Sequence, residues 1–194
     1  MKRLCVFCGS NAGSRPHYAE TTQQLGIRLA ARGWGVIYGG GHVGLMGVLA
    51  DAVLQAGGEV IGVIPQALVD RELAHVRLTQ LHVVTTMHER KALMADLADG
   101  FAALPGGSGT ADEFFEILTW AQLHIHNKPI GLLNVAGFFD SLLAWLDHTV
   151  REGFLRREHR DLLLVAREPE ELLELVERYK PAGEIGKWIE KEDR

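Results

Sequence analysis

Short apolar runs alternate with stretches of helical periodicity along most of the chain. Runs bounded by glycine, proline or polar residues are typical of buried strands, whereas apolar residues spaced three and four apart indicate helices. The predicted strands are Arg3–Cys8, Trp34–Tyr38, Glu59–Ile64, Leu81–Val84, Phe101–Leu104, Pro129–Leu133 and Leu162–Val165. The predicted helices are Pro16–Arg32, a helix that follows Gly44 and ends near Ala56, Met87–Ala98, Thr110–His124, Phe139–Glu152 and Pro169–Tyr179. Residues 66–80 are polar and irregular, and they predict one long loop.

Strands that alternate with helices of this length predict βαβ units. The fold class is therefore α/β: a single-domain, Rossmann-like, doubly wound parallel sheet with helices on both faces. We expect this nucleotide-binding, catalytic domain to span residues 1–180. Residues 181–194 are rich in charge and predict a solvated C-terminal tail.

The charge, the cysteine count and the hydropathy of the chain argue against several classes of protein. The chain has 194 residues and a formal net charge of −5, and a mildly acidic domain lacks the basic footprint of nucleic-acid binding. Two cysteines are too few for a secreted disulfide scaffold. The N-terminus does not resemble a signal peptide, and no apolar run reaches the roughly 18 residues of a membrane span. We expect a soluble cytoplasmic protein that binds neither nucleic acid nor membrane.

Glycine is over-represented, with 22 residues, and much of the excess lies in three loops that each follow a predicted strand. These loops are Gly9–Gly13, Gly39–Gly47 and Pro105–Gly109. In open α/β sheets, ligands bind beyond the carboxyl ends of the strands. The three loops are therefore expected to meet at one edge of the sheet and to form a binding site there.

The loop from Pro105 to Gly109 carries the strongest signal, because a strand ends, glycines turn the chain and a helix begins. The free amide groups of a first helical turn form an anion site. At about 100° per residue, Glu113 falls inside the buried arc of this helix and Glu116 falls at its edge. A buried carboxylate is costly unless it is paired. A dipole-stabilised acid at the helix start explains Asp112 but not the inward position of Glu113.

The helix Met87–Ala98 offers a complement to this acid. Arg90 falls within its apolar arc, and Lys91 falls at the edge. A buried arginine needs an anion, and a bidentate partner suits it best. Two interpretations stay open at this point: a structural ion pair between Arg90 and Glu113, or a site in which both grip an anionic ligand.

Three other patterns carry weaker signals. The run Gly39–Gly44 formally matches G-x-G-x-x-G, but a tight turn with close helix–strand packing explains it as well. Cys5 and Cys8 are spaced as C-x-x-C on a strand, where their side chains point to opposite faces, so we expect no redox role. No spacing of the histidines is typical of a zinc site, and we expect no metal and no cofactor.

Taken together, these residues resemble the LONELY GUY family of cytokinin-activating phosphoribohydrolases, whose members are often labelled lysine decarboxylases. The matching pieces are Cys8-Gly9-Ser10, Gly39-Gly40-Gly41, Gly44-Leu45-Met46-Gly47, Pro65 with Arg71-Glu72, Met87-His88-Glu89-Arg90-Lys91, and Pro105-Gly106-Gly107-x-Gly109-Thr110-x-x-Glu113. The last two, in this order, are a specific signature.

The resemblance implies hydrolysis of the N-glycosidic bond of a nucleoside 5′-monophosphate, AMP or an N6-modified cytokinin riboside monophosphate, without a cofactor. It implies that Arg90 and Glu113 are the catalytic pair. The expected substrate-binding residues are Ser10, Gly41, Glu72, Lys91, Gly107, Ser108, Gly109, Thr110, Glu116 and Thr119. The alternative function is a non-catalytic nucleotide-binding carrier or sensor.

Two further expectations follow from the resemblance. Thr119 lies on the helix face opposite Phe114 and Ala121, where it would reach a ligand in a neighbouring subunit. This agrees with the homodimers of the family, whose sites lie near the interface. Position 108 holds serine where plant members carry tyrosine, and this changes how far the loop reaches toward the base.

Overall fold

The computed structural model describes residues 2–71 and 73–181. One sheet of seven parallel strands forms its centre. The strands are β1 (Arg3–Phe7), β2 (Gly35–Tyr38), β3 (Val60–Pro65), β4 (Gln80–Val84), β5 (Gly100–Ala103), β6 (Ile130–Leu133) and β7 (Leu163–Ala166). The helices are α1 (Pro16–Ala31), α2 (Gly44–Gln55), α3 (Gln66–Val69), α4 (Met87–Leu97), α5 (Ser108–Gln122), α6 (Asp140–Arg151), α7 (Arg157–Arg160) and α8 (Pro169–Arg178).

The strand order is β4-β3-β2-β1-β5-β6-β7. The chain builds outward from β1 to β4, then returns to the other side of β1 and builds outward again from β5 to β7. This reversal places a topological switch point between β1 and β5, where a crevice opens at the carboxyl ends of the strands. The predicted α/β, doubly wound class is confirmed.

The core has two layers, one on each face of the sheet. Helices α1, α2 and α8 cover one face with residues such as Leu29, Leu49 and Leu172. Helices α4, α5 and α6 cover the other with Met94, Phe114 and Leu146. Both layers are needed because strands of a parallel sheet are buried on both faces.

Three details differ from the sequence prediction. Helix α5 begins at Ser108 rather than Thr110, and the short helices α3 and α7 form in segments where none was predicted. Of the predicted tail, only Pro181 belongs to the described residues. In residues 2–71 and 73–181, every helix is too short or too polar to cross a bilayer.

Candidate active site

The three glycine-rich loops meet at one edge of the sheet, as predicted. The amide of Gly9 donates to the carbonyl of Pro105 at 3.0 Å, which joins the loops after β1 and β5. The amide of Leu45 donates to the carbonyl of Gly9 at 3.0 Å, which brings in the start of α2. Three strand ends therefore supply one continuous surface of backbone groups.

Helix α5 presents its amino end to this surface. Gly107 is its N-cap, and no side chain caps the helix. The first amides of a helix have no partner within it, so those of Ser108, Gly109 and Thr110 are available to an anion. Gly107, Ser108 and Gly109 are exposed, whereas Thr110 is buried. A Cβ on residue 106 would lie 2.2 Å from the Thr110 hydroxyl oxygen, so only glycine fits there.

A capping box sets the start of the neighbouring helix α4. The Thr86 hydroxyl accepts the Glu89 amide at 3.1 Å, and the Glu89 carboxylate accepts the Thr86 amide at 3.3 Å. This arrangement satisfies amide groups that the helix leaves free. The rotation of α4 about its axis then turns Arg90 toward the sheet and Met87 toward solvent.

Arg90 and Glu113 form a buried ion pair. Arg90 Nη1 lies 3.1 Å from Glu113 Oε1, and the two side chains are only 10% and 11% exposed. Arg90 Nε donates to the carbonyl of Val63 on β3 at 3.1 Å. The guanidinium is therefore fixed by the sheet on one side and by the carboxylate on the other.

Gly39 makes room for this guanidinium. A Cβ at position 39 would lie 1.9 Å from Arg90 Nη2, so any side chain there would displace the guanidinium. The first glycine of the Gly39–Gly44 run is thus explained by close packing against Arg90. Its neighbour Gly40 has a φ of +75°, which favours glycine for a separate, conformational reason.

Burial raises the pKa of Glu113 above its ordinary value of 4.5. The positive charge of Arg90 opposes this shift and lowers the pKa, as does that of Lys91 to a smaller extent. Nearby Asp112 and Glu116 raise it. Desolvation is the largest effect, so Glu113 is a stronger base than an exposed glutamate despite its cationic partner.

Lys91 joins two carboxylates of α5. Its Nζ lies 3.2 Å from Asp112 Oδ2 and 3.1 Å from Glu116 Oε1. Burial alone would lower the pKa of Lys91, but hydrogen bonds to Glu116 and Asp112 raise it above the ordinary lysine value. Lys91 is therefore held as an ammonium ion beside the Arg90–Glu113 pair.

A crevice of about 310 Å³ opens between the loops after β1 and β5. Ser10 and Gly107 line it, together with Tyr18, Leu45 and Phe138. Its volume falls within the range of about 300–1,000 Å³ that is typical of small-molecule sites. The lining includes neither Arg90 nor Glu113, so a ligand in this crevice would reach the ion pair only by extending past the loops.

The remaining predicted residues fall into three places. Gly41 is buried, and its carbonyl accepts the Tyr38 hydroxyl at 3.0 Å. Thr119 is exposed and lines a groove between α5 and α6, away from Arg90. Glu72, which was predicted to bind substrate, lies outside the described residues.

Other candidate chemistry finds no support in the geometry. Cys5 on β1 and Cys8 just after it are buried in the core layers on opposite faces of the sheet, and burial raises the pKa of both thiols. In the described part of the chain, no three histidine, cysteine or acidic side chains are grouped as metal ligands would be.

One contributor to the site gave no signal in the sequence. The loop predicted over residues 66–80 returns to the sheet edge, where Ala74 forms a bridge with Gly41. This segment has no apolar periodicity from which its position could be predicted. A contact between backbone groups does not depend on the side chains, so the sequence gives no indication of it.

Known proteins are similar to this chain in sequence and in fold. The sequence profile of a family described as "possible lysine decarboxylase" matches residues 46–176. The cytokinin riboside 5′-monophosphate phosphoribohydrolase LOG1 of Arabidopsis thaliana is 46% identical over 183 residues, 94% of this chain and 86% of that protein. The enzyme LOG of Oryza sativa subsp. japonica is 46% identical over 185 residues, 95% of this chain and 76% of that protein.

Two solved structures have a similar fold. A molybdenum cofactor binding protein from Rippkaea orientalis has a TM-score of 0.70 and 22% identity, covering 91% of this chain and 96% of that chain. The X-ray structure of TM1055 has a TM-score of 0.68 and 25% identity, covering 92% of this chain and 100% of that chain. The first likeness concerns the fold alone. The profile match and the extent of sequence identity show that this chain belongs to the LONELY GUY family of cytokinin riboside 5′-monophosphate phosphoribohydrolases.

Proposed function

We propose that this protein hydrolyses the N-glycosidic bond of a nucleoside 5′-monophosphate and releases the free base and ribose 5-phosphate. The observation that carries the proposal is the buried Glu113 carboxylate, paired with Arg90 beside the free amino end of α5. A catalytic acid–base group, an oriented cation and an anion site are the parts that this reaction needs.

Glu113 supplies the acid–base chemistry. Water attacks C1′ of the ribose while the bond from C1′ to the base nitrogen breaks. The electron pair of that bond stays on the base nitrogen, which takes up one proton while the attacking water gives up one, so that the elements of water are divided between base and sugar. The sugar carries positive charge in the transition state, as in glycoside hydrolysis. The ionised Glu113 either stabilises that charge or accepts the proton of the attacking water.

Arg90 and the amino end of α5 position the substrate. Arg90 keeps the Glu113 carboxylate in one orientation, because Val63 fixes the guanidinium from behind. The amides of residues 108–110 bind the 5′-phosphate, and Lys91 adds a positive charge nearby. Binding the phosphate fixes the ribose, so that binding energy remote from C1′ assists the reaction.

The substrate class includes adenine nucleotides with and without an N6 substituent. The relatives are named for cytokinin riboside 5′-monophosphates. Ser108 is small and exposed at the start of α5, and it leaves space that a larger side chain would fill. We therefore propose that unmodified AMP is also a substrate, which is an activity broader than the name of the relatives.

Decarboxylation of lysine, the reaction in the family description, does not fit Lys91. Pyridoxal phosphate requires a lysine that forms a Schiff base, and the nucleophile in that step is a neutral amine. Lys91 is tied to Asp112 and Glu116, and its pKa is raised. Its environment favours an anchoring charge over a nucleophile.

Incubation with AMP and with isopentenyladenosine monophosphate, followed by chromatography, tests the proposal. We expect release of free base by the wild type and a loss of about a thousandfold in Glu113→Gln, because the proton transfer and charge stabilisation are removed. The exposed Glu20→Gln serves as the matched control. Thermal stabilisation by nucleotides without base release would favour the carrier or sensor function.

We also propose a homodimer through the groove between α5 and α6. The groove has a volume of about 490 Å³ and presents apolar side chains around Thr119, including Trp145 and Phe154. Trp145 is 53% exposed and Phe154 is 83% exposed. Exposed aromatic residues are typical of interfaces. Light scattering should give the mass of two chains, and Trp145→Glu should give that of one chain.

A further inference from the structure

A short segment, residues 73–77, crosses the loop between β2 and α2. We call this segment the strap. The carbonyl of Leu73 accepts the His42 amide at 3.1 Å, and the His75 amide donates to the carbonyl of Gly40 at 2.8 Å. Ala74 forms an antiparallel bridge with Gly41 between these two bonds. The strap therefore pairs, through one antiparallel bridge, with the loop between β2 and α2, which we call the glycine loop.

His75 anchors the strap to α2. Its side chain is 4% exposed, and Nε2 lies 3.2 Å from Asp51 Oδ1 on that helix. Its Nδ1 accepts the amide of Arg77 at 3.2 Å. Because Nδ1 is an acceptor, the ring proton belongs on Nε2, which donates it to Asp51. The Arg77 guanidinium donates to the same Asp51 oxygen at 2.7 Å.

The loop that the strap covers is also the loop that contacts Arg90. Gly39 packs directly against Arg90 Nη2, so any shift of the loop changes the space available to the guanidinium. The residues that follow are held by the strap: Gly40 and His42 form the hydrogen bonds, and Gly41 between them forms the bridge with Ala74. A continuous set of contacts therefore runs from Asp51 through His75 and the glycine loop to Arg90.

We propose that His75, held by Asp51, is a positioning residue that keeps Arg90 aligned with Glu113. The inference rests on the proposed function, in which that pair acts on the substrate. Without the imidazole, the strap loses its hydrogen bond to Asp51. The glycine loop can then move away from Arg90, and the guanidinium of Arg90 becomes more mobile. His75 itself is covered by protein and does not touch the reacting atoms.

A purely structural role would have a different signature. A buried histidine that only adds stability lowers the melting temperature when it is replaced, but leaves the turnover of the folded protein unchanged. His159 provides the matched control, because its side chain is 1% exposed and it lies on α7. Replacing either histidine by alanine removes a buried imidazole, but only His75 belongs to the strap.

The first test is nuclear magnetic resonance of the unliganded protein. In His75→Ala we expect hydrogen exchange at the His42 amide and at Arg90 Nε–H to become at least about tenfold faster, because the strap no longer holds the loop. His159→Ala should leave both rates unchanged. Unchanged exchange at Arg90 Nε–H in His75→Ala would overturn the inference, whatever happens at the His42 amide. This measurement needs no substrate, so it stands even if the proposed function fails.

The second test is kinetic, with AMP as substrate at a temperature where each variant is folded. His75→Ala should lower kcat by about 10- to 100-fold, the size expected when a catalytic group is misplaced. Asp51→Ala should act in the same direction, whereas Asp51→Asn should recover most of kcat because its amide oxygen still accepts from Nε2. Wild-type kcat in folded His75→Ala would refute the positioning role. Inactive wild-type protein would instead refute the proposed function.

Discussion

Two clusters of arginine and glutamate, on opposite faces of the sheet, combine the same groups in different surroundings. Arg90 and Glu113 are almost fully covered, at 10% and 11% exposure. Glu170 on α8 is 42% exposed and pairs with Arg28 and Arg32 of α1. The first cluster lies beside the glycine loops, and the second joins two helices at the surface.

The two glutamates differ in the direction of their pKa shifts. Burial raises the pKa of Glu113, and Arg90 only partly opposes it. A hydrogen bond from Arg32 lowers the pKa of Glu170, which remains hydrated. An arginine partner therefore does not by itself decide how a carboxylate titrates. Access to water decides it, and only the buried pair keeps a basic carboxylate next to a fixed cation.

Removing the arginine of each cluster should give the largest contrast. Arg90→Ala leaves Glu113 buried without its cation, and we expect a loss of about 3–5 kcal/mol in the free energy of unfolding. Arg32→Ala leaves Glu170 in contact with water and Arg28, so the free energy of unfolding of this variant should change little. Denaturant unfolding of both variants measures this difference. Equal losses would show that the buried pair has no special dependence on its partner.

Gly39→Ala should disturb the buried cluster without removing any of its charges. The added Cβ must displace Arg90 Nη2, and we expect kcat for nucleotide hydrolysis to fall by about 10- to 100-fold. Gly26→Ala is the control, because its Cβ would press on Ala52 between α1 and α2, far from Arg90. If both variants kept full activity, close packing at Gly39 would have no catalytic consequence.

The smallest effect is an opposite dependence of stability on pH. Because the pKa of Glu113 is raised above 4.5, its contribution to stability is present at acid pH and is lost as the pH rises through that pKa. Glu113→Gln leaves Arg90 buried without its anion, so it should lower the melting temperature. The loss should be larger at acid pH than at neutral pH, because only the wild type gains stability when Glu113 is protonated.

The pKa of Glu170 is lowered, so its contribution is present above pH 4.5 and is lost as the pH falls through the lowered pKa. Glu170→Gln should slightly lower the melting temperature at neutral pH, and this loss should shrink at acid pH. Melting curves of both variants across this range measure how each loss changes with pH. Losses that change in the same direction with pH would contradict the contrast between the clusters.

Helical periodicity was enough to predict the buried cluster. It placed Arg90 and Glu113 on buried arcs of two helices, and the structure brings them to 3.1 Å. The catalytic roles of both residues remain predictions. Of the two interpretations left open, the structure shows the ion pair between Arg90 and Glu113, and binding of an anionic ligand by both residues stays a prediction.

Other features escaped the sequence because they depend on backbone contacts between distant segments. The carbonyl of Val63 and the close packing of Gly39 on Arg90 depend on which strands become neighbours. The two-residue error at the start of α5 has a local cause, since Gly109 is a poor helix former. The family assignment, made from the motifs, is confirmed by the identity to known relatives.

Helices α4 and α5 are joined by three ion pairs, and two of them, Arg90–Glu113 and Lys91–Glu116, have unequal sequence spacing. Arg90 and Lys91 are consecutive on α4, whereas their partners Glu113 and Glu116 are one helical turn apart on α5. A slide of one helix along the other would stretch both pairs, and a roll of α4 that kept one would separate the other. The relative height and rotation of the two helices are therefore specified together, by side chains that are also part of the candidate site.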